Sequence, residues 1–203
     1  MTVTTVRVVV ADIGGVLCRF DPKPRLAALA ERTGLGENEL HDKIFVSGFE
    51  ADCEAGHYTA AGACDWLRAN VGLTGEVAEI SRLWTSAFTV DPAVVSALTE
   101  QGLPLAIFSN NGPLFADYFD ERFGELAALF PRRFFACRLG LRKPQPEAFE
   151  AVAAALAEEA EASADEIFFV DDNPDNTKAA RQLGWRTHTF TGVGDLRAAL
   201  SRW

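Results

Sequence analysis

Five short apolar runs, rich in β-branched and aromatic residues, recur along this chain, and helical patterns separate most of them. The runs cover residues 6–11, 105–108, 134–136, 167–170 and 186–190. Val6-Arg7-Val8-Val9-Val10-Ala11 is mostly apolar and β-branched, the signature of a strand buried on both faces. Residues 92–101 open with Pro92 in a first helical turn and stop at Gly102. Residues 146–161 are rich in alanine and glutamate, residues 174–183 are closed by Gly184, and residues 194–202 form a last helical stretch. Strands alternating with helices predict an α/β fold with a doubly wound parallel sheet.

One region breaks that alternation. Between about residues 24 and 88 the pattern predicts four helices, at 25–32, 37–46, 60–70 and 76–87, and no strand. A helical insert directly after the first strand is expected to lie as a small cap over that strand's carboxyl end. The chain therefore divides into an α/β core of residues 1–20 and 90–203 and a helical cap of residues 21–89. With 203 residues there is enough chain for one domain with such an insert and a sizeable core.

Nineteen basic against 29 acidic residues give a formal charge of −10. That balance argues against nucleic acid or an anionic membrane as a partner, because no basic stripe offsets it. A small anionic substrate stays compatible, since a local cation or metal overrides the global field. Cys18, Cys53, Cys64 and Cys137 are scattered and read as reduced thiols. No stretch approaches the roughly 20 apolar residues of a membrane helix, and no leader pattern precedes Val8. The cytoplasm is the expected location.

In open parallel sheets, ligands bind beyond the carboxyl ends of the strands. The first run is followed by Asp12-Ile13-Gly14-Gly15, the second by Ser109-Asn110-Asn111-Gly112, and the fourth by Asp171-Asp172-Asn173-Pro174. Leu141-Arg142-Lys143-Pro144 lies between the third run and its helix. Taken singly, each is an ordinary turn, cap or surface residue. Taken together, they gather three carboxylates, a hydroxyl and a lysine at one sheet edge. Asp12, Asp171 and Asp172 would repel one another, and oxygen ligands relieved by a cation select a hard ion such as Mg²⁺. Lys143 would hold the nucleophile and phosphate oxygens, while Ser109 and neighbouring amides, Asn110 among them, would donate to the transferring group. Asp12 would attack phosphorus and form an aspartyl-phosphate.

The order Asp12, Ser109, Lys143, Asp171-Asp172 resembles the haloacid-dehalogenase (HAD) superfamily across the whole chain, insert included. Phe49-Glu50, Glu54-Ala55-Gly56 and Val170-Asp171-Asp172-Asn173 are most similar to its sugar-phosphatase and epoxide-hydrolase N-terminal-like branch. The resemblance implies a Rossmann-like core, Mg²⁺ as cofactor, a small phosphorylated substrate, and phosphohydrolase chemistry with Asp12 as nucleophile. It also implies Asp12, Asp171, Asp172 and the Gly14 carbonyl as metal ligands, and Ser109, Asn110 and Lys143 as the phosphate cradle.

One position departs from the pattern. Phosphatases of this family carry a second aspartate two residues after the nucleophile, which protonates the leaving oxygen and later activates water. Here that position is Gly14. Losing a general acid–base costs about 10²–10⁴-fold in rate. His57, in the predicted cap, is one candidate to replace it. Two other readings follow: a metal-free 2-haloacid dehalogenase, which the acidic pair disfavours, and a non-catalytic phosphate-binding relative, which Gly14 alone favours.

Overall fold

The structure, a computed structural model, describes residues 5–202. Its seven strands are β1 (Val8–Ala11), β2 (Cys18–Phe20), β3 (Phe88–Val90), β4 (Leu105–Ser109), β5 (Arg132–Phe135), β6 (Ile167–Asp171) and β7 (Arg186–Thr189). Five form one parallel sheet in the order β5-β4-β1-β6-β7. β1 is central: Val9 pairs with Leu105 on one side and with Phe168 on the other.

The two-residue period of the strands divides the core in two. Val9, Ala11, Ile107 and Val170 pack with Val94, Leu98, Leu196 and Leu200 of helices Pro92–Thr99 and Val193–Leu200. Val8, Val10, Ala106, Phe108 and Phe169 pack with Phe149, Val152 and Leu156 of helix Pro146–Ala160, and with Ala180 of helix Pro174–Gln182. Both faces of the sheet are thus covered, which is why β1 tolerates four consecutive apolar residues. The expected doubly wound α/β fold is what the chain adopts. All four cysteines are free thiols. No helix among the described residues is long and apolar enough to cross a membrane.

The segment between β2 and β3 is helical and has its own core, in which Leu29, Ile44, Phe49, Leu67, Ile80 and Trp84 pack together. Phe49 stacks on Trp66 with ring centroids 3.8 Å apart. Leu114, just beyond β4, joins this cluster, and the Ser81 hydroxyl donates to the Leu114 carbonyl at 2.6 Å. These contacts seat the insert against the short helix Pro113–Ala116 that follows β4, beside the carboxyl edge of the sheet.

Three features differ from the sequence expectation. The insert does not follow the first strand directly, because β2 and β3 pair antiparallel as a short stem, Cys18 with Val90 and Phe20 with Phe88. Each is three residues long, too short for periodicity to reveal. The stretch expected as one helix at 37–46 is an α-helix only over Glu37–His41 and continues as a π-helical turn, Asp42–Val46. A further helix, Phe49–Glu54, follows Gly48, whose φ of 91° breaks the chain direction.

Candidate active site

The carboxyl ends of β1, β4 and β6 meet where the strand order reverses, the position at which open sheets bind ligands. Asp12 is the first residue beyond β1, Ser109 ends β4, and Asp171 ends β6. Lys143 arrives from the loop before helix Pro146–Ala160 and is almost fully buried. Its ammonium donates to the Phe108 carbonyl at 2.8 Å and to Asp171 Oδ2 at 2.6 Å, and lies 3.2 Å from Asp12 Oδ1. The lysine therefore bridges two carboxylates that belong to neighbouring strands.

Asp171 is wholly buried and held from several sides. Besides Lys143, its oxygens accept from the Asn173 N–H at 2.8 Å and from Asn176 Nδ2 at 3.0 Å. Asp172, by contrast, is open to the cavity. Its carboxylate lies over Gly15: a Cβ on that residue would sit 2.2 Å from Asp172 Oδ2. Gly15 also has φ of 77°. Both facts demand glycine there.

One oxygen from each of Asp12, Asp171 and Asp172 lies within 4.8 Å of the others. Burial, with Asp171 adding to it, pushes the Asp12 carboxyl up to about 6 against the lowering effects of Lys143, a hydrogen bond from Ser109 and the Ile13 N–H. Burial and Asp171 also raise Asp172. Burial pulls Lys143 down, but Asp12 and Asp171 outweigh it and keep the ammonium charged. Among the described residues, Asn176 Oδ1 is buried without a hydrogen-bond partner. An all-oxygen cluster in which burial, with the charge of Asp171 adding to it, holds up the Asp12 and Asp172 carboxyls fits a hard divalent cation.

The cavity in front of these groups has a volume of about 560 Å³. Asp12, Gly14, Ser109, Asn110, Lys143 and Asp172 all line it, so the sequence-predicted site residues converge, with Asp171 directly behind. The side chain of Asn110 has a partner of its own. Its amide donates to the Lys143 carbonyl and accepts from the Lys143 N–H, each at 2.9 Å, so it clamps the lysine's backbone. His57 is absent from the lining; its side chain is exposed and its ring lies 3.3 Å from Asp52.

A family model of haloacid dehalogenase-like hydrolases matches residues 6–184. The chain belongs to that family. Its fold is similar to that of the HAD family enzyme BT-2542 from Bacteroides thetaiotaomicron, with a TM-score of 0.78 at 22% identity over 98% of this chain and 100% of that one. BT-2542 in complex with magnesium and inorganic phosphate gives a TM-score of 0.72 at 23% identity, over 91% and 93% of the two chains. L-2-haloacid dehalogenase from Xanthobacter autotrophicus, with chloropropionic acid covalently bound, gives 0.61 at 21% identity, over 90% and 76%.

This HAD-like hydrolase also places in its cavity residues to which the sequence assigned no role. Glu50, Glu54 and Arg142 line it together with the rings of Phe20 and Phe88. Arg142 donates to Glu54 Oε2 at 2.5 Å, linking the insert to the residue before Lys143. Glu50 pairs at 2.8 Å with Arg25, a buried guanidinium near the Phe20, Phe45 and Trp84 rings. Burial, with Glu50 and Asp12 adding to it and Arg142 opposing it, pushes the Glu54 carboxyl up to about 7. Glu54 and Arg142 stand inside motifs that drew attention in the sequence, but their partnership spans 88 residues and has no local signal.

Proposed function

We propose that this HAD-like hydrolase is a phosphohydrolase of small phosphorylated metabolites, working with Mg²⁺ through an aspartyl-phosphate on Asp12. The observation that carries the reading is the convergence of Asp12 and Asp172 on one cavity, with the Lys143 ammonium 3.2 Å from Asp12. Asp12 Oδ would attack phosphorus while the ester P–O bond breaks, and water would then release inorganic phosphate and restore the carboxylate. Lys143 would orient the nucleophile and attract phosphate oxygens, and Ser109 would donate to the transferring group. Asn110 would serve through its main chain, since its amide holds Lys143.

Asp12, Asp172 and the Gly14 carbonyl would hold Mg²⁺, which when bound supplies charge to neutralise an approaching phosphate dianion. Asp171, engaged by Lys143, Asn173 and Asn176, suits an outer-shell role that fixes the lysine. That BT-2542 is described with magnesium and inorganic phosphate supports the reading. The insert, residues 21–89, would act as a cap setting specificity, and a cavity of about 560 Å³ suits a small ester.

The likeness to L-2-haloacid dehalogenase favours a second reading, attack of Asp12 on carbon. Asp172 opposes it, because its carboxylate in the cavity would repel a haloacid carboxylate. One assay separates them. The purified protein is given an aryl phosphate with and without Mg²⁺, and 2-chloropropionate in parallel. Mg²⁺-dependent phosphate release without chloride release supports the phosphohydrolase; chloride release without phosphate release overturns it.

A further inference from the structure

Position 14 provides no side chain, so a proton must reach the leaving oxygen from elsewhere. The titratable groups on the cavity can be taken one at a time. Asp12 is the nucleophile under the proposed function, and Asp172 faces the metal position. Lys143 is locked between Asp171, the Phe108 carbonyl and Asp12. Arg142 does not release a proton at any working pH. Glu50 is held by Arg25 at 2.8 Å and is the anion that the buried guanidinium needs. No histidine or cysteine lines the cavity among the described residues. Glu54 remains.

We propose that Glu54, at the end of helix Phe49–Glu54 of the insert, is the general acid–base of this site and replaces the carboxyl that Gly14 lacks. The proposal rests on the phosphohydrolase reading. Glu54 is tied to the core by a single hydrogen bond, from Arg142 to Oε2, and Oε1 accepts none among the described residues. Its partner Arg142 immediately precedes Lys143, so the anchor that positions Glu54 shares a loop with the proposed phosphate ligand. The groups acting on Glu54 are Arg142, Glu50 and Asp12, and with burial they leave its carboxyl titrating at about 7, which suits proton exchange in both directions at neutral pH.

The chemistry balances without another reactant. As Asp12 Oδ bonds to phosphorus, the ester P–O bond breaks and its electron pair stays on the leaving oxygen, which takes the Glu54 proton. The resulting Glu54 carboxylate removes a proton from water as that oxygen attacks phosphorus. The P–O bond to Asp12 then breaks, inorganic phosphate leaves, and Glu54 is again protonated.

The test is a leaving-group series, from nitrophenyl to alkyl phosphates, measured as kcat/KM with saturating Mg²⁺. The unsubstituted protein should show a shallow dependence on leaving-group pKa and an activity that falls above pH about 7, as Glu54 loses its proton. Glu54→Gln keeps the hydrogen bond to Arg142 and should lose about 10²–10⁴-fold on alkyl phosphates. Nitrophenyl phosphate should suffer far less in kcat/KM, the alkaline limb should vanish, and a burst of nitrophenol should mark stalled water attack. Gly14→Asp added to Glu54→Gln should restore alkyl phosphate turnover. A Cβ at residue 14 meets Phe88 at an ordinary 3.5 Å, and the backbone there is outside the left-handed region. A uniform loss across the series with the limb retained would reveal a merely structural role and overturn the proposal. So would a steep dependence in the unsubstituted protein, a measurement that needs no variant to fold. If the unsubstituted protein releases no phosphate from any ester, the phosphohydrolase reading falls and takes this role with it.

Discussion

The Lys143 ammonium lies 2.6 Å from a carboxylate oxygen of Asp171, and both side chains are shut off from solvent. A buried pair of this kind contributes little net stability, yet breaking it by removing one partner is costly, because the other charge is left uncompensated. Lys143→Ala should therefore destabilise the fold by about 3–5 kcal/mol, as well as abolish activity. Lys143→Ala combined with Asp171→Asn should be less destabilised than Lys143→Ala alone. Urea unfolding of the two variants and the unsubstituted protein checks this. Equal or greater loss in the double variant would mean that the pair is not coupled.

Gly15 and Asp172 make a second prediction. Gly15→Ala would put a methyl group where the Asp172 carboxylate lies and force a side chain into φ of 77°. Asp172 would have to turn away, and Mg²⁺ affinity should fall by about tenfold or more. Calorimetric titration of Mg²⁺ measures it. Unchanged affinity would remove Asp172 from the metal site.

Stability against pH follows from the raised carboxyls. Asp12 moves from 3.8 to about 6 and Glu54 from 4.5 to about 7 on folding. A carboxyl raised in the folded state binds its proton more tightly there than in the unfolded chain. Its contribution is complete below the unfolded pKa and is lost as pH rises through the folded one. The metal-free protein should therefore lose thermal stability between about pH 4 and pH 7. Mg²⁺ binds the ionised carboxylates, so its stabilisation should be larger at pH 7.5 than at pH 5. At a hundredfold excess over Kd the gain is about 2.7 kcal/mol, or about 5–10 °C for a chain of this size. Thermal melts over that range decide it, and a metal-free Tm that rises from pH 5 to pH 7 would contradict the assignment.

Much of the site was legible because its residues are local consequences of strand ends. Asp12 follows four apolar residues buried on both faces, and Ser109 and Asp171 close two further buried strands. Wherever such strands run parallel, their carboxyl ends must meet. Lys143 was legible only through its place in the motif order, since nothing in Arg142-Lys143-Pro144 says that its side chain turns inward. The Glu54–Arg142 and Glu50–Arg25 pairs were not legible. They depend on docking of the insert, and the helix that bears both glutamates is six residues long with no side-chain cap. β2 and β3 were missed for a related reason: three-residue strands some 70 positions apart exist only through their pairing. The split between Asp171 and Asp172 likewise emerges from Asn176 and Lys143 folding over one carboxylate and leaving the other open.

Asp12→Asn should keep the fold and abolish turnover, since the amide has the shape of the carboxylate without its nucleophilicity. The claim behind that expectation is the covalent bond to Asp12. Rapid acid quenching of the protein during hydrolysis of a phosphate ester radiolabelled on phosphorus tests it most directly. The account predicts protein-bound label that requires Mg²⁺, is released by hydroxylamine as an acyl phosphate should be, and is absent from Asp12→Asn. Mg²⁺-dependent phosphate release with no protein-bound label at any quench time, or with label that persists in Asp12→Asn, would contradict it.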